Sequence, residues 1–248
     1  MIVYVNGCSY ASISDGLRYS DALAQSLNCE VINAGIPGSC NDRILRTSLR
    51  DLIDLKHQHK DIVAVISLTF LIRSEVWEPN RNNNDSWSNT GDGDFHSLQL
   101  TEDKSWFTNP DKASHLDQRY KEYAVNWLNW YNVEAEITKL LQNLVLFSNW
   151  CENNGVDYLI FSGPTQEAID FDAPFVRPFY QSVRTNPHII DIFSNSFLSW
   201  CEANGYTPID DHTYWINGET RPAGHQGELA HRAWAAHLLD HYLIPMLW

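Results

Sequence analysis

Apolar and polar positions along this chain switch between two periods, and each switch marks an element. Ile2 to Val5 is a short run of β-branched and aromatic residues and reads as a buried strand. Asn6-Gly7 closes it with turn chemistry, and Ser9 stands just beyond its carboxyl end. Tyr19, Leu23 and Leu27 recur at helical spacing, with Ser20 or Asp21 as the expected cap. Glu30 to Asn33 is a second strand, and Ala34 to Asn41 is a loop with two glycines and a proline. Asp42 is then expected to cap a helix running to about His57, whose apolar stripe is Ile44, Leu45, Leu49, Leu52 and Ile53. Asp61 to Leu68 is almost continuously apolar, as strands covered on both faces of a parallel sheet are. Strand, helix, strand, helix, strand at this spacing predicts a doubly wound α/β sheet.

The periodicity then stops. From 77 to about 123 the chain is rich in Asn, Asp, Ser and Trp, with Asn82-Asn83-Asn84-Asp85 and Gly91-Asp92-Gly93-Asp94 as turn material. Trp77, Trp87, Trp106 and Phe107 argue against full disorder, so the stretch reads as a folded insertion, either a lid beside an active crevice or a structural excursion. The pattern resumes with a long helix from Asn132 to Asn154, carrying Val133, Ile137, Leu140, Leu141, Leu144 and Phe147 on one side. Val156 to Phe161 is the next strand. Pro174 to Arg184 is irregular or a short helix, Ile189 to Ile192 a fifth strand, and Phe193 to Asn204 a helix. A loop covers Tyr206 to Gly224, and a last helix runs from near Gly227 to about Leu243, with Leu229, Ala233, Trp234, Leu238 and Leu239 inward. With no internal repeat and no flexible linker, residues 1–248 are expected to form one domain with one long insertion after strand three.

Composition narrows the function classes. Hydrophobic residues make up 44% of the chain, enough for a sizeable core. A net charge of −14 argues against non-specific nucleic-acid binding and against an anionic membrane surface. No apolar stretch approaches the roughly 20 residues of a membrane span. The chain starts directly with a strand, so no signal peptide is visible. The five cysteines are scattered without a Cys-x-x-Cys pair, which predicts reduced thiols and a cytoplasmic protein rather than a disulfide framework or zinc ribbon.

Candidate chemistry gathers at the carboxyl ends of the predicted strands, where open α/β sheets place their crevices. Strand one offers Ser9, strand two Gly35, Gly38 and Asn41, strand three Ser67 and Thr69, and the C-terminal loop His225. A serine, a histidine and glycine or asparagine N–H donors are the parts of acyl-transfer machinery. The histidine takes the serine proton and the donors stabilise the oxyanion. Such machinery needs no cofactor. Other signals have plainer accounts. Glu228 and His231 are an i, i+3 pair and could be a displaced acid–base pair or a structural one. His237 and His241 have a metal-compatible i, i+4 spacing but no third ligand. Asp210-Asp211-His212 reads as loop more readily than as a metal site, and Cys8 as an inward-packed turn residue rather than a reactive thiol. Arg73 could hold an anionic substrate group or pair with Glu75 or Glu78. The tryptophans of the insertion could stack on sugar rings.

Four stretches together resemble the SGNH (GDSL-like) hydrolases. Gly7-Cys8-Ser9 is similar to that family's Gly-Asp-Ser nucleophile block, with cysteine in place of aspartate. Asn33-Ala-Gly-Ile-Pro-Gly38 resembles its second block, and Ala223-Gly224-His225, with His231 six residues on and Trp234-Ala235 behind, its last. The Gly-Ser-Cys-Asn-Asp-Arg stretch resembles a divergent phage- or bacterial-type branch, which favours Asn41 over Thr69 as the remaining donor. The resemblance implies a flavodoxin-like three-layer α/β/α sandwich with a mostly parallel sheet of about five strands. It also implies an esterase or deacetylase acting on a small-molecule or carbohydrate ester, with Ser9 as nucleophile and His225 as base. The Ser9 and Gly38 N–H groups and Asn41 would form the oxyanion hole. The family's Gly-x-Asn-Asp block is missing after strand three, and Pro222 and Ala223 occupy the positions of the aspartate that normally precedes the base. Asp210, Asp211, Glu219 or a backbone carbonyl is left to orient His225. These departures motivate the alternative, an inactive descendant of the fold that binds carbohydrate or a protein through the tryptophan-rich insertion.

Overall fold

A computed structural model describes residues 1–77, 95–98, 118–164, 170–211, 213–216, 219–222 and 224–247. Its centre is a four-stranded sheet in the order β2-β1-β3-β6, formed by β1 (Ile2–Asn6), β2 (Glu30–Asn33), β3 (Ile62–Leu68) and β6 (Asp157–Ser162). All three pairings are parallel, with Val3 opposite Val31 and Val63, and Val65 opposite Leu159. The near-continuous apolar runs exist because both faces are covered. Val3, Val5, Val63, Val65, Leu159 and Phe161 face one core, which α2 (Tyr19–Leu27), α7 (Phe197–Ala203) and α8 (Glu228–Leu238) complete with Leu23, Phe197, Trp234 and Leu238. Ile2, Tyr4, Ile62, Ala64, Ile66 and Ile160 face the other. There α3 (Asn41–Lys56) and α5 (Val133–Asn153) supply Ile44, Leu52, Leu140 and Leu144. The period-2 alternation within each strand thus sorts side chains into two cores, and the result is three layers.

The remaining elements are α1 (Ser9–Ser12), the antiparallel pair β4 (Ser74–Trp77) and β5 (Phe95–Leu98), α4 (Gln118–Trp130), α6 (Arg177–Arg184), the antiparallel pair β7 (Thr213–Ile216) and β8 (Glu219–Pro222), and α9 (Ile244–Leu247). Several expectations change. The expected fifth strand at Ile189 is a single parallel bridge to Ile160, so the sheet has four continuous strands. Helix α4 begins inside the span expected to be insertion, and the Tyr206–Gly224 loop carries the β7–β8 hairpin. The last helix passes through a π-helical turn, Leu239–Leu243, before α9. The cap of α3 is Cys40, whose sulfur accepts the Arg43 N–H at 3.4 Å, rather than Asp42. Asp21 bonds back to the Arg18 N–H at 3.0 Å, so Arg18, not Ser20 or Asp21, is the capping residue of α2. Most of 77–123, with Trp87, Trp106 and Phe107, lies outside the described residues. Among the described residues no helix is long and apolar enough to cross a membrane.

Candidate active site

The turn after β1 is built around Ser9. Asn6 ends the strand with its side chain buried, and Asn6 Oδ1 accepts the Gly7 N–H at 2.8 Å. Its Nδ2 lies 2.9 Å from both Thr47 Oγ1 and Ser48 Oγ, which fastens the turn to α3. A Cβ at Gly7 would lie 2.9 Å from Ala11 Cβ and from Ser67 Cβ and O, so only glycine permits this close approach. Cys8 is the N-cap of α1 and Ser9 its first residue, leaving the Ser9 N–H without an intrahelical acceptor. Cys8 is fully buried, in line with an inward-packed turn residue. From the neighbouring strand, Asn33 Nδ2 donates to Ala11 O and to Ser20 Oγ, both at 2.9 Å, while Asn33 Oδ1 accepts the Gly35 N–H at 2.9 Å. The side chains of Asn6 and Asn33 fasten these two turns, a part that the sequence pattern, which marks Asn6 as turn chemistry and Asn33 as the start of the second block, did not specify. Their signal was present: each is the last residue of one of two adjacent strands.

The loop after β2 lies alongside this turn, with the Ile36 N–H donating to Gly7 O at 3.1 Å. Ile36-Pro37-Gly38-Ser39 closes on a Ser39 N–H to Ile36 O bond of 3.2 Å. Proline at its second position and glycine at its third, with φ of +80°, is the type II arrangement. The Gly38 N–H takes no part in that closing bond. Asn41 begins α3 and clasps the residue after β3: Thr69 N–H donates to Asn41 Oδ1 at 2.8 Å and Asn41 Nδ2 donates to Thr69 O at 3.0 Å. Asn41 and Thr69 are therefore joined to each other, and the Asn41 amide keeps one further N–H.

His225 comes from the loop before α8. Asp210 holds it twice, accepting the His225 N–H on Oδ1 at 3.0 Å and meeting Nδ1 with Oδ2 at 2.5 Å. Of the acids left open by the sequence, Asp210 makes this contact, Asp211 is exposed, and the side chain of Glu219 lies outside the described residues. The loop is held by Ile209 N–H to His225 O at 2.8 Å and by a bridge between Pro208 and Gln226. The His225 ring lies 5.9 Å from the ring of Tyr10, the residue next to Ser9, and Ser9 and His225 are only 7% and 8% exposed. Beside this loop is a cavity of about 650 Å³ lined by Asp15, Tyr206, Ile209, Gly227, Glu228 and Leu229.

The second histidine has a different environment. His231 Nδ1 accepts the Tyr19 N–H at 3.2 Å and Nε2 donates to Ile13 O at 3.1 Å. Burial lowers its pKa to about 4 and keeps it neutral. Glu228 pairs with Arg232, so Glu228 and His231 are not brought together as an acid–base pair. The rings of His237 and His241 are 4.6 Å apart, and no group of three metal-ligating side chains occurs among the described residues. Glu75 pairs with Arg46 rather than with Arg73, while Glu78 and His212 lie outside the described residues.

No family model and no curated protein matches the sequence. The fold is similar to that of an acetyl xylan esterase, at 15% identity over 98% of this chain and 100% of the other, with a TM-score of 0.46. It is also similar to TesA, at 14% identity over 100% of both chains and a TM-score of 0.46. A lipase/acylhydrolase from Enterococcus faecalis is 12% identical over 96% of this chain and 93% of that one, with a TM-score of 0.40. Likeness at this level assigns neither activity nor residue roles.

Proposed function

We propose that this protein is a serine-dependent ester hydrolase of the SGNH type. The observation that carries the reading is the His225–Asp210 contact of 2.5 Å at the loop before α8, with the ring of Tyr10 against the histidine. The residues before His225 lack the aspartate expected there, and Asp210 supplies a carboxylate from fifteen positions upstream. A carboxylate at Nδ1 fixes the proton there and makes Nε2 the nitrogen that accepts one.

In this account His225 Nε2 takes the Ser9 hydroxyl proton as Oγ attacks the ester carbonyl. The Ser9 and Gly38 N–H groups and the remaining Asn41 amide N–H receive the charge that forms on the carbonyl oxygen. Asp210 stabilises the imidazolium, which returns the proton to the leaving alcohol. Water then repeats the sequence on the acyl-enzyme. No cofactor enters these steps. The test is hydrolysis of p-nitrophenyl acetate and butyrate by wild type and Ser9→Ala. Turnover that falls about 10³-fold or more in the variant is expected. Equal rates in the two proteins would remove Ser9 from the mechanism.

A further inference from the structure

We infer that Arg73 makes this site selective for esters that carry a carboxylate or similar anion beside the scissile bond. The inference rests on the serine-hydrolase reading above and names its substrate class. Arg73 follows β3 at the carboxyl edge of the sheet, half-buried. One guanidinium nitrogen, Nη1, donates to Thr69 Oγ1 at 3.0 Å and to Ser39 O at 3.4 Å. These contacts tie it to the proposed oxyanion donors. Ser39 follows Gly38, and the Thr69 backbone is clasped by Asn41 at 2.8 Å. The guanidinium also lies over the Phe70 ring, 4.9 Å from its centroid.

Among the described residues, the hydrogen-bond partners of Arg73 are two neutral oxygens and no carboxylate pairs with it. Several other described cations do pair with acids, although Lys56 is held by the Lys60 and Gly155 carbonyls and Arg43 bonds Ser39 Oγ. Arg18 pairs with Asp21, Arg46 with Glu75, Arg50 with Asp51, Arg232 with Glu228, and Lys139 with Asp42 and Glu136. In a chain of net charge −14, acids are plentiful, yet Glu75, two residues from Arg73, is turned to Arg46. With Nη1 on neutral acceptors and no partner to Nε or Nη2 among the described residues, the half-buried guanidinium presents both to a planar anion, in the fork geometry that suits a carboxylate. Its fastening to Ser39 and Thr69 fixes it in place before substrate arrives, which lowers the cost of binding.

The anion can belong to the acyl group or to the alcohol, and two matched pairs of esters separate these sources. Mono-(4-nitrophenyl) adipate against its methyl ester places the charge on the acyl side. 4-Acetoxybenzoate against methyl 4-acetoxybenzoate places it on the alcohol side. Wild type is expected to favour the anionic member of one pair by about tenfold or more in kcat/KM. Arg73→Gln should abolish that ratio, chiefly through KM, and Arg73→Lys should restore part of it. Equal rates within both pairs for wild type, or a preference that survives in Arg73→Gln, overturns the proposal. Labelling of Ser9 by a fluorophosphonate without turnover of any of the four esters overturns it while leaving the serine-hydrolase reading standing. Neither labelling nor turnover overturns both.

Discussion

His231 shows how a single residue can be misread from spacing alone. Its position six residues after His225 gives no hint of its role, but both ring nitrogens are spent on backbone groups, the Tyr19 N–H and Ile13 O. Because burial holds its pKa near 4, below the unfolded value of 6.5, its stabilising effect is fully present above pH 6.5. That effect is lost as pH falls through 4. The shift corresponds to about 3 kcal/mol by linkage, an order-of-magnitude figure. Urea unfolding between pH 7 and 4 is expected to show wild type losing stability over this window. His231→Gln should be weaker at pH 7 but flatter with pH; an equally steep profile would place the acid sensitivity elsewhere. Asp210 teaches the complementary lesson. Sequence could name it among several acids but could not choose, because the fourteen residues between it and His225 include a hairpin whose geometry brings the two ends together. Asp210→Asn should keep the fold and lower kcat by about 10²–10⁴-fold, measured on the same p-nitrophenyl esters. An unchanged kcat would reduce Asp210 to a structural ligand of the loop.

At the scale of elements, the β1 turn is tightly constrained by its contacts. Gly7 and Asn6 leave almost no freedom around it. Gly7→Ala must push a methyl group against Ala11 and Ser67 at 2.9 Å, and is expected to cost about 1–3 kcal/mol in unfolding free energy as an overpacked site. A thermal midpoint unchanged by that substitution would mean that the turn yields more easily than its contacts indicate. The strands and long helices here were legible because hydrophobic period and length agree, as in β1, β3, α3 and α5. What escaped was short or nonlocal. Helix α1 has only four residues, and the β7–β8 hairpin lies in a stretch whose composition reads as loop. The strand expected at Ile189 has the right residues but meets β6 at only one bridge, since the chain leaves the edge after Ile190 N–H bonds Ile160 O at 2.9 Å.

For the whole molecule, the two-sided sheet makes a prediction about solvent access. Cys8, Cys40, Cys151 and Cys201 are buried in or beside the two cores, and only Cys29 is partly exposed. Burial also pushes the Cys151 thiol up to about 12, which removes the reactive thiolate. Titration with a thiol-specific disulfide reagent should find one readily reacting thiol in the native protein and five after denaturation. More than one fast thiol would show that a core opens readily. The doubly wound architecture was readable from the order of elements. The partnership of Asp210 with His225 and the company Arg73 keeps emerge only when the carboxyl edge is assembled. The most direct test of the account as an acyl hydrolase is intact-mass analysis after treatment with a fluorophosphonate, followed by peptide mapping. The account predicts one adduct per chain, located on Ser9 and absent from Ser9→Ala. A folded wild-type protein that takes up no label, or carries it on another residue, would contradict it.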